Sequence, residues 1–280
     1  MINRFQCGRY SFPVQGAPFK PLVMGILNIT PDSFSDGGQY LSLDGAISHA
    51  EQMIRAGVDI IDIGGESSRP GSAPLPLEEE LNRVMPVIYA LRDCGKPLSV
   101  DTYKPEVMRE AILAGADMIN DISGFRSAES LATVAHADVG ICVMHMQNTP
   151  TDMQVSPVYA DVNTEVMSFL CERIGAFVSA GIAKERICID PGFGFGKSLK
   201  HNIAMFQHIA EFQEVTGLPL LVGVSRKTML GELTGKAVEH RMAGSLAAAL
   251  AAVQRGARIL RVHDVAETVD AIKVWQALSN

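Results

Sequence analysis

Three stretches of the chain repeat one local grammar: a helical segment ends on glycine, a short apolar run follows, and a polar residue closes it. They are Ala56-Gly57-Val58-Asp59-Ile60-Ile61-Asp62, Ala114-Gly115-Ala116-Asp117-Met118-Ile119-Asn120 and Arg255-Gly256-Ala257-Arg258-Ile259-Leu260-Arg261-Val262-His263. Glycine suits a helix end because the residue beyond the last turn often takes a left-handed conformation that a Cβ disfavours. An apolar run without polar alternation suits a strand covered on both faces, as in a parallel sheet. The interval from Gly57 to Gly115 accommodates two βα units.

Continued along the 280 residues, this rhythm predicts strands at 22–28, 58–63, 97–101, 118–122, 140–145, 187–190, 219–224 and 259–262. Helical patterns follow at 44–56, 77–93, 104–114, 161–180 and 242–255. Eight strands alternating with helices favour a closed (β/α)8 TIM barrel of class α/β over a doubly wound sheet. No linker or low-complexity stretch divides the chain, so residues 1–280 are read as one domain, a hairpin region at 1–20 and a barrel at 21–280. Residues 5–15 predict a short N-terminal β-hairpin covering the barrel bottom. An apolar content of 47% supports a core of that size.

No apolar run approaches the roughly 20 residues that span a bilayer, and Met1-Ile2-Asn3-Arg4-Phe5-Gln6 is too polar to open a signal peptide. A cytoplasmic protein without membrane contact is the expectation. A net charge of -7 argues against wholesale nucleic-acid binding, which needs a basic surface. The cysteines Cys7, Cys94, Cys142, Cys171 and Cys188 are scattered and form no C-x-x-C pair, so reduced, mostly buried thiols are expected rather than a disulfide framework or zinc site.

In a barrel of this kind chemistry sits at the C-terminal strand ends. There the sequence places Asn28, Asp62, Asp101, Asn120, His145, Asp190, Ser225 to Lys227, Arg261 and His263. One such residue is equally well explained as a helix cap; the whole set points into one mouth. Two Gly- and Pro-rich loops, Thr30 to Gly38 and Gly64 to Gly71, follow the first two strands and are candidate lids. Phe34 and Arg69 favour that reading, because a surface connection has little structural need for either.

Four motifs carry a family resemblance: Asn28-Ile29-Thr30-Pro31-Asp32-Ser33-Phe34-Ser35-Asp36-Gly37-Gly38, Asp62-Ile63-Gly64-Gly65-Glu66-Ser67-Ser68-Arg69-Pro70-Gly71, Asp190-Pro191-Gly192-Phe193-Gly194-Phe195-Gly196-Lys197 and Val224-Ser225-Arg226-Lys227. Together, and with Arg261-Val262-His263 closing the chain order, they resemble dihydropteroate synthase, a pterin-binding TIM-barrel family, from about residue 20 onward. The resemblance implies condensation of p-aminobenzoate with a dihydropterin methyl diphosphate, releasing pyrophosphate, in folate biosynthesis.

The resemblance also implies roles. Asp101, Asn120, Asp190 and Lys227 would hold the pterin, with Ile122 and Met144 as apolar surface and Arg261 stacked on its face. A pterin edge sets donors beside acceptors, so a carboxylate with amide and ammonium neighbours satisfies it, and Asp190 suits the bidentate acceptor. Asn28 would hold Mg2+, while Arg69, Arg261 and His263 contact pyrophosphate. Asp101, Arg69, Lys227, Arg261 and His263 form the implied catalytic set. Phe34, Ser68, Pro70, Gly194, Phe195, Lys227 and Thr228 form the implied p-aminobenzoate pocket, which sulfonamides would share. Ser68 and Thr228 stand where many relatives carry Thr and Ser; both keep a hydroxyl. The resemblance further implies a homodimer. Two other readings remain open at this point: a methyltetrahydrofolate-dependent corrinoid methyltransferase on a similar barrel, and a non-catalytic pterin-binding homologue.

Overall fold

The computed structural model describes residues 2–16, 20–29, 39–68 and 71–279, with the backbone alone at 39–42. Antiparallel strands β1 (Arg4–Cys7) and β2 (Tyr10–Pro13) precede the parallel strands β3 (Leu22–Asn28), β4 (Ile60–Gly64), β5 (Leu98–Asp101), β6 (Met118–Asp121), β7 (Gly140–Met144), β8 (Ile187–Asp190), β9 (Leu221–Val222) and β10 (Ile259–Val262). Helices α1 (Gln39–Ala56), α2 (Leu77–Leu91), α3 (Pro105–Ala114), α4 (Ala128–Ala135), α5 (Val162–Ser179), α6 (Leu199–Gln207), α7 (Ile209–Thr216), α8 (Thr228–Thr234), α9 (Met242–Gln254) and α10 (Val265–Ser279) alternate with them.

The parallel strands follow the order β8-β7-β6-β5-β4-β3-β10-β9, and the bridge between Ile189 and Leu220 returns β9 to β8. The barrel is therefore closed, as the alternation predicts. The strand expected at 219–224 pairs regularly only over Leu221–Val222. Beyond it the chain leaves the ladder, and the Ser225 hydroxyl accepts the His263 N–H at 3.2 Å.

The repeated grammar has a structural use at each position. Gly57, Gly115 and Gly256 take φ of 95°, 108° and 102°, which ends the preceding helices. The aspartate that follows in two repeats caps the neighbouring strand at the barrel's N-terminal end: Asp59 Oδ2 accepts the Val23 N–H at 2.9 Å, and Asp117 Oδ2 accepts the Leu98 N–H at 3.1 Å.

Alternate residues of a strand face opposite sides, so even an unbroken apolar run divides between two cores. Leu27, Ile61, Val100, Ile119, Val143, Ile189, Val222 and Leu260 join the core shared with the helices. Met24, Ile60, Met118, Cys142, Cys188, Leu221 and Ile259 meet inside the barrel, with Phe5 and Cys7 of the hairpin among them. The hairpin thus plugs the bottom of the barrel, and Arg9 fastens it through Asp117 Oδ1 at 2.9 Å. Phe5 is fully buried. Phe5→Ala should cost about 3–5 kcal/mol, from lost transfer energy and the cavity left behind, measured by urea unfolding. A loss below about 1 kcal/mol would mean that the core closes without the hairpin.

Candidate active site

Two residues above this apolar floor, most of the next inward positions are polar or small, Ile26 and Met144 being the apolar exceptions. The step of two from Ile60, Met118, Cys142, Cys188, Leu221 and Ile259 arrives at Asp62, Asn120, Met144, Asp190, Gly223 and Arg261. Asp101 ends β5 beside them, and Asn28 ends β3 at the same mouth. The β-strand period, applied to eight strands in register, brings these residues together.

Arg261 is the centre of the arrangement. Its Nε donates to Asp62 Oδ2 at 2.6 Å and its Nη2 to Asp101 Oδ2 at 2.8 Å. Asn120 Nδ2 also approaches Asp62 Oδ2, at 3.3 Å. Asp62 is completely buried, and its Oδ1 has no hydrogen-bond partner among the described residues. The stem of Arg261 packs over Gly223, where a Cβ would stand 3.6 Å from Arg261 Cβ, in ordinary contact.

The opposite wall is built by the loop after β8 and the start of α8. Asp190 Oδ1 accepts the Gly192 N–H at 2.7 Å. Lys227, the residue before α8, donates to the Phe193 carbonyl and lies 4.3 Å from the centroid of the Phe195 ring. Ile122 and Met144 pack with Met146 and Met153, and Tyr103 and Phe195 flank them. An apolar face therefore lies beside the charged one, which suits a flat, polar-edged ring.

Burial sets the charge states. It raises Asp101 to about 7, Arg261 opposing the shift and Asp62 adding to it. It raises Asp190 above the usual carboxylate range, with Lys227 and the Gly192 N–H opposing. Lys227 is lowered to about 8 by burial, against the pull of Asp190. Burial also works against the Arg261 guanidinium, but Asp62 and Asp101 outweigh it and hold the group above its ordinary value.

Two cross-ties position the surrounding loops. Tyr103 donates to Glu66 Oε1 at 2.7 Å, and Lys104 bridges Glu66 and Glu80, so the stem of the second Gly-rich loop is fixed to the residues after Asp101. Ser68 continues from that stem into a cleft it shares with Asp101, Tyr103 and Ile122. His263 Nδ1 meets Ser225 Oγ at 3.1 Å, and Arg226 pairs with Asp264, which ties the loops after β9 and β10 together. Thr228 is exposed at the first position of α8. Phe34, Arg69 and Pro70, with Thr30 to Gly38, lie outside the described residues.

A family model described as "Pterin binding enzyme" matches residues 24–263. The dihydropteroate synthase of Escherichia coli strain K12 is 51% identical over 258 residues, 92% of this chain and 91% of its own. The solved dihydropteroate synthase of Xanthomonas albilineans with 4-aminobenzoic acid superposes with a TM-score of 0.91 at 50% identity, covering 100% of this chain and 99% of that one. That of Burkholderia cenocepacia, complexed with 7,8-dihydropteroate, gives 0.89 at 50% identity, covering 99% and 96%. The chain belongs to the dihydropteroate synthase family.

A dihydropteroate synthase handles a diphosphate, which raises the question of a cation. Among the described residues no group of three or more His, Cys, Asp or Glu could hold a metal ion. Asn28 presents a neutral oxygen, and its Oδ1 lies 3.5 Å from where a Gly64 side chain would begin. Asn28 would offer such an ion one neutral oxygen, and the remaining ligands would have to come from waters and substrate phosphates. Sequence reasoning placed Asp62 at a strand end but gave it no role. Its signal was an aspartate in step with Ile60 on the inner face; its partner was not visible.

Proposed function

We propose that the chain catalyses the dihydropteroate synthase reaction, condensing p-aminobenzoate with (7,8-dihydropterin-6-yl)methyl diphosphate to give 7,8-dihydropteroate and diphosphate. The observation that carries this reading is the inward ring of Asp62, Asp101, Asn120, Asp190, Lys227 and Arg261 above an apolar floor, in a member of that family. Asp190 accepts from the amino and ring N–H groups of the pterin, Asn120 and Lys227 complete its edge, and Ile122 and Met144 cover its face. Arg261, His263 and Arg69 bind the diphosphate.

The exocyclic CH2 of a dihydropterin is conjugated to ring nitrogens, so the C–O bond to diphosphate breaks with its electron pair leaving on oxygen, in an SN1-like course. Asn28 would hold Mg2+ together with the substrate phosphates, and the ion would supply charge neutralisation for that leaving group. Asp101, as a carboxylate, stabilises the positive charge left on the pterin. The arylamine nitrogen then forms the new C–N bond with its lone pair and releases a proton. It is neutral near pH 7 and needs no strong general base. By the family resemblance its pocket is formed by Phe34, Ser68, Pro70, Gly194, Phe195, Lys227 and Thr228. Sulfonamides, which share the aniline ring, compete there.

Formation of dihydropteroate and diphosphate from the two pure substrates with Mg2+ tests the proposal, and pterin binding without turnover would overturn it. The charge states add a pH prediction. A carboxylate that must be ionised gives an acid limb, and an ammonium that must stay protonated gives an alkaline one. kcat/KM should therefore rise through about 7 with Asp101 and fall above about 8 with Lys227. Lys227→Arg, which stays charged, should remove the alkaline limb from the residual activity. A flat profile from about pH 6 to about pH 9 would contradict these assignments.

A homodimer forms part of the proposal, supported by the exposed Leu233, Val238 and Met242 around the start of α9. So does a place in the cytoplasm: among the described residues no helix is long and apolar enough to cross a membrane.

A further inference from the structure

Lys197 takes no part in the reaction as described, yet it is 2% exposed beneath the loop that follows β8. Its Nζ lies 3.0 Å from the carbonyl oxygens of Gly192 and Phe195, 3.3 Å from that of His145 and 2.9 Å from His145 Nδ1. Carbonyl oxygens only accept, and an ammonium only donates, through three N–H groups. The side chain therefore supplies the donors that these buried backbone oxygens need. Burial pushes the Lys197 ammonium well below its ordinary value, with Asp190 opposing. His145 is lowered to about 2, chiefly by burial and then by Lys197 and Arg126, so its ring is neutral.

Other groups hold parts of the loop above this lysine: the Gly194 N–H donates to Asn202 Oδ1 at 2.8 Å, and Gln154 Nε2 and Tyr159 Oη donate to the Gly194 and Gly196 carbonyls at 2.6 and 2.8 Å, while Lys197 serves the Gly192 and Phe195 carbonyls. Gly192, Gly194 and Gly196 all have positive φ, and glycine loses the most backbone freedom on ordering. A Cβ at Gly192 would lie 1.9 Å from the His145 carbonyl oxygen, so the loop rests directly on the end of β7. From this seat it directs the Gly192 N–H to Asp190 and the Phe195 ring to Lys227.

We infer that Lys197 is a positioning residue for the arylamine side of the reaction: the N–H donors at its Nζ gather the carbonyls of the 190–197 loop and so hold Phe195 against Lys227. This inference rests on the proposed synthase reading. It assigns Lys197 an indirect role, exerted through Phe195 and not by contact with substrate.

Lys197→Met should raise the KM for p-aminobenzoate about tenfold or more, while the KM for the pterin diphosphate stays within about threefold. In a Phe195→Ala background the same substitution should change the p-aminobenzoate KM by less than about twofold, because the two changes act through one element. A lower Tm or a smaller active fraction, with both KM values unchanged, would reduce Lys197 to a structural residue and overturn the inference. An undiminished effect in the Phe195→Ala background would overturn it too. Should Lys197→Met fail to fold, Lys197→Gln, which retains two N–H donors, is put through the same comparisons. Hydrogen exchange over residues 192–196 gives a reading independent of turnover: exchange about tenfold faster in the variant supports the inference, and unchanged exchange rejects it. Absence of turnover in the wild-type protein, by contrast, would count against the proposed reaction alone.

Discussion

Asp190→Asn lowers pterin affinity by about tenfold to a hundredfold. The estimate follows from the cost of leaving a buried polar group unpaired, about 1–3 kcal/mol. A carboxylate offers acceptors only, whereas an amide turns one of its ends into a donor facing the N–H groups it should receive. The same change removes the negative charge that supports Lys227, so the alkaline limb of the rate profile should move below about 8. Calorimetric titration with the pterin measures the first effect and the pH profile the second. Binding within about twofold of wild type would mean that Asp190 is not the anchor.

Arg261→Met has the larger effect on the protein as a whole. Arg261 is the partner of both Asp62 and Asp101, and removing one member of a buried charge set costs about 3–5 kcal/mol because the others stay buried without compensation. kcat/KM should fall about a hundredfold to a thousandfold with the loss of the charge proposed to meet the diphosphate. Arg261→Lys should recover little, since a single ammonium lacks the fork whose Nε and Nη2 reach two carboxylates at once. The loss of stability should depend on pH. Without its arginine, Asp101 has a folded-state pKa above the 7 it shows with the arginine present, and far above its unfolded value. A carboxyl raised in this way contributes stability at low pH that disappears as pH rises through the folded value. Urea unfolding should thus show a smaller deficit near pH 5 than near pH 8, and adding Asp62→Asn should restore part of it. Equal deficits at both pH values would contradict the assignment of Asp101.

Sequence alone determined much of the barrel. Helix-ending glycines, apolar runs and their polar last residues are local signals, because glycine φ preference and the two-residue strand period act within a few positions. They were enough to place the strand ends, the hairpin and the inward aspartates, asparagine and arginine. Where local pairing fails, as after Val222, the pattern overran: the expected strand at 219–224 yields to a turn in which the Ser225 hydroxyl accepts the His263 N–H.

Tertiary structure alone decided who meets whom. Arg261 and Asp62 stand 199 positions apart in the chain, and no spacing rule connects them. They meet because β10 pairs with β3 and β3 with β4, so ring closure sets their inward side chains side by side. Lys197 and His145 likewise read as a charged loop residue and a strand-end histidine until the loop after β8 folds onto the end of β7. Charge state belongs to the same category. Asp101 near 7 and Lys227 near 8 are products of burial and of neighbours from other strands, and burial exists only once the barrel has closed.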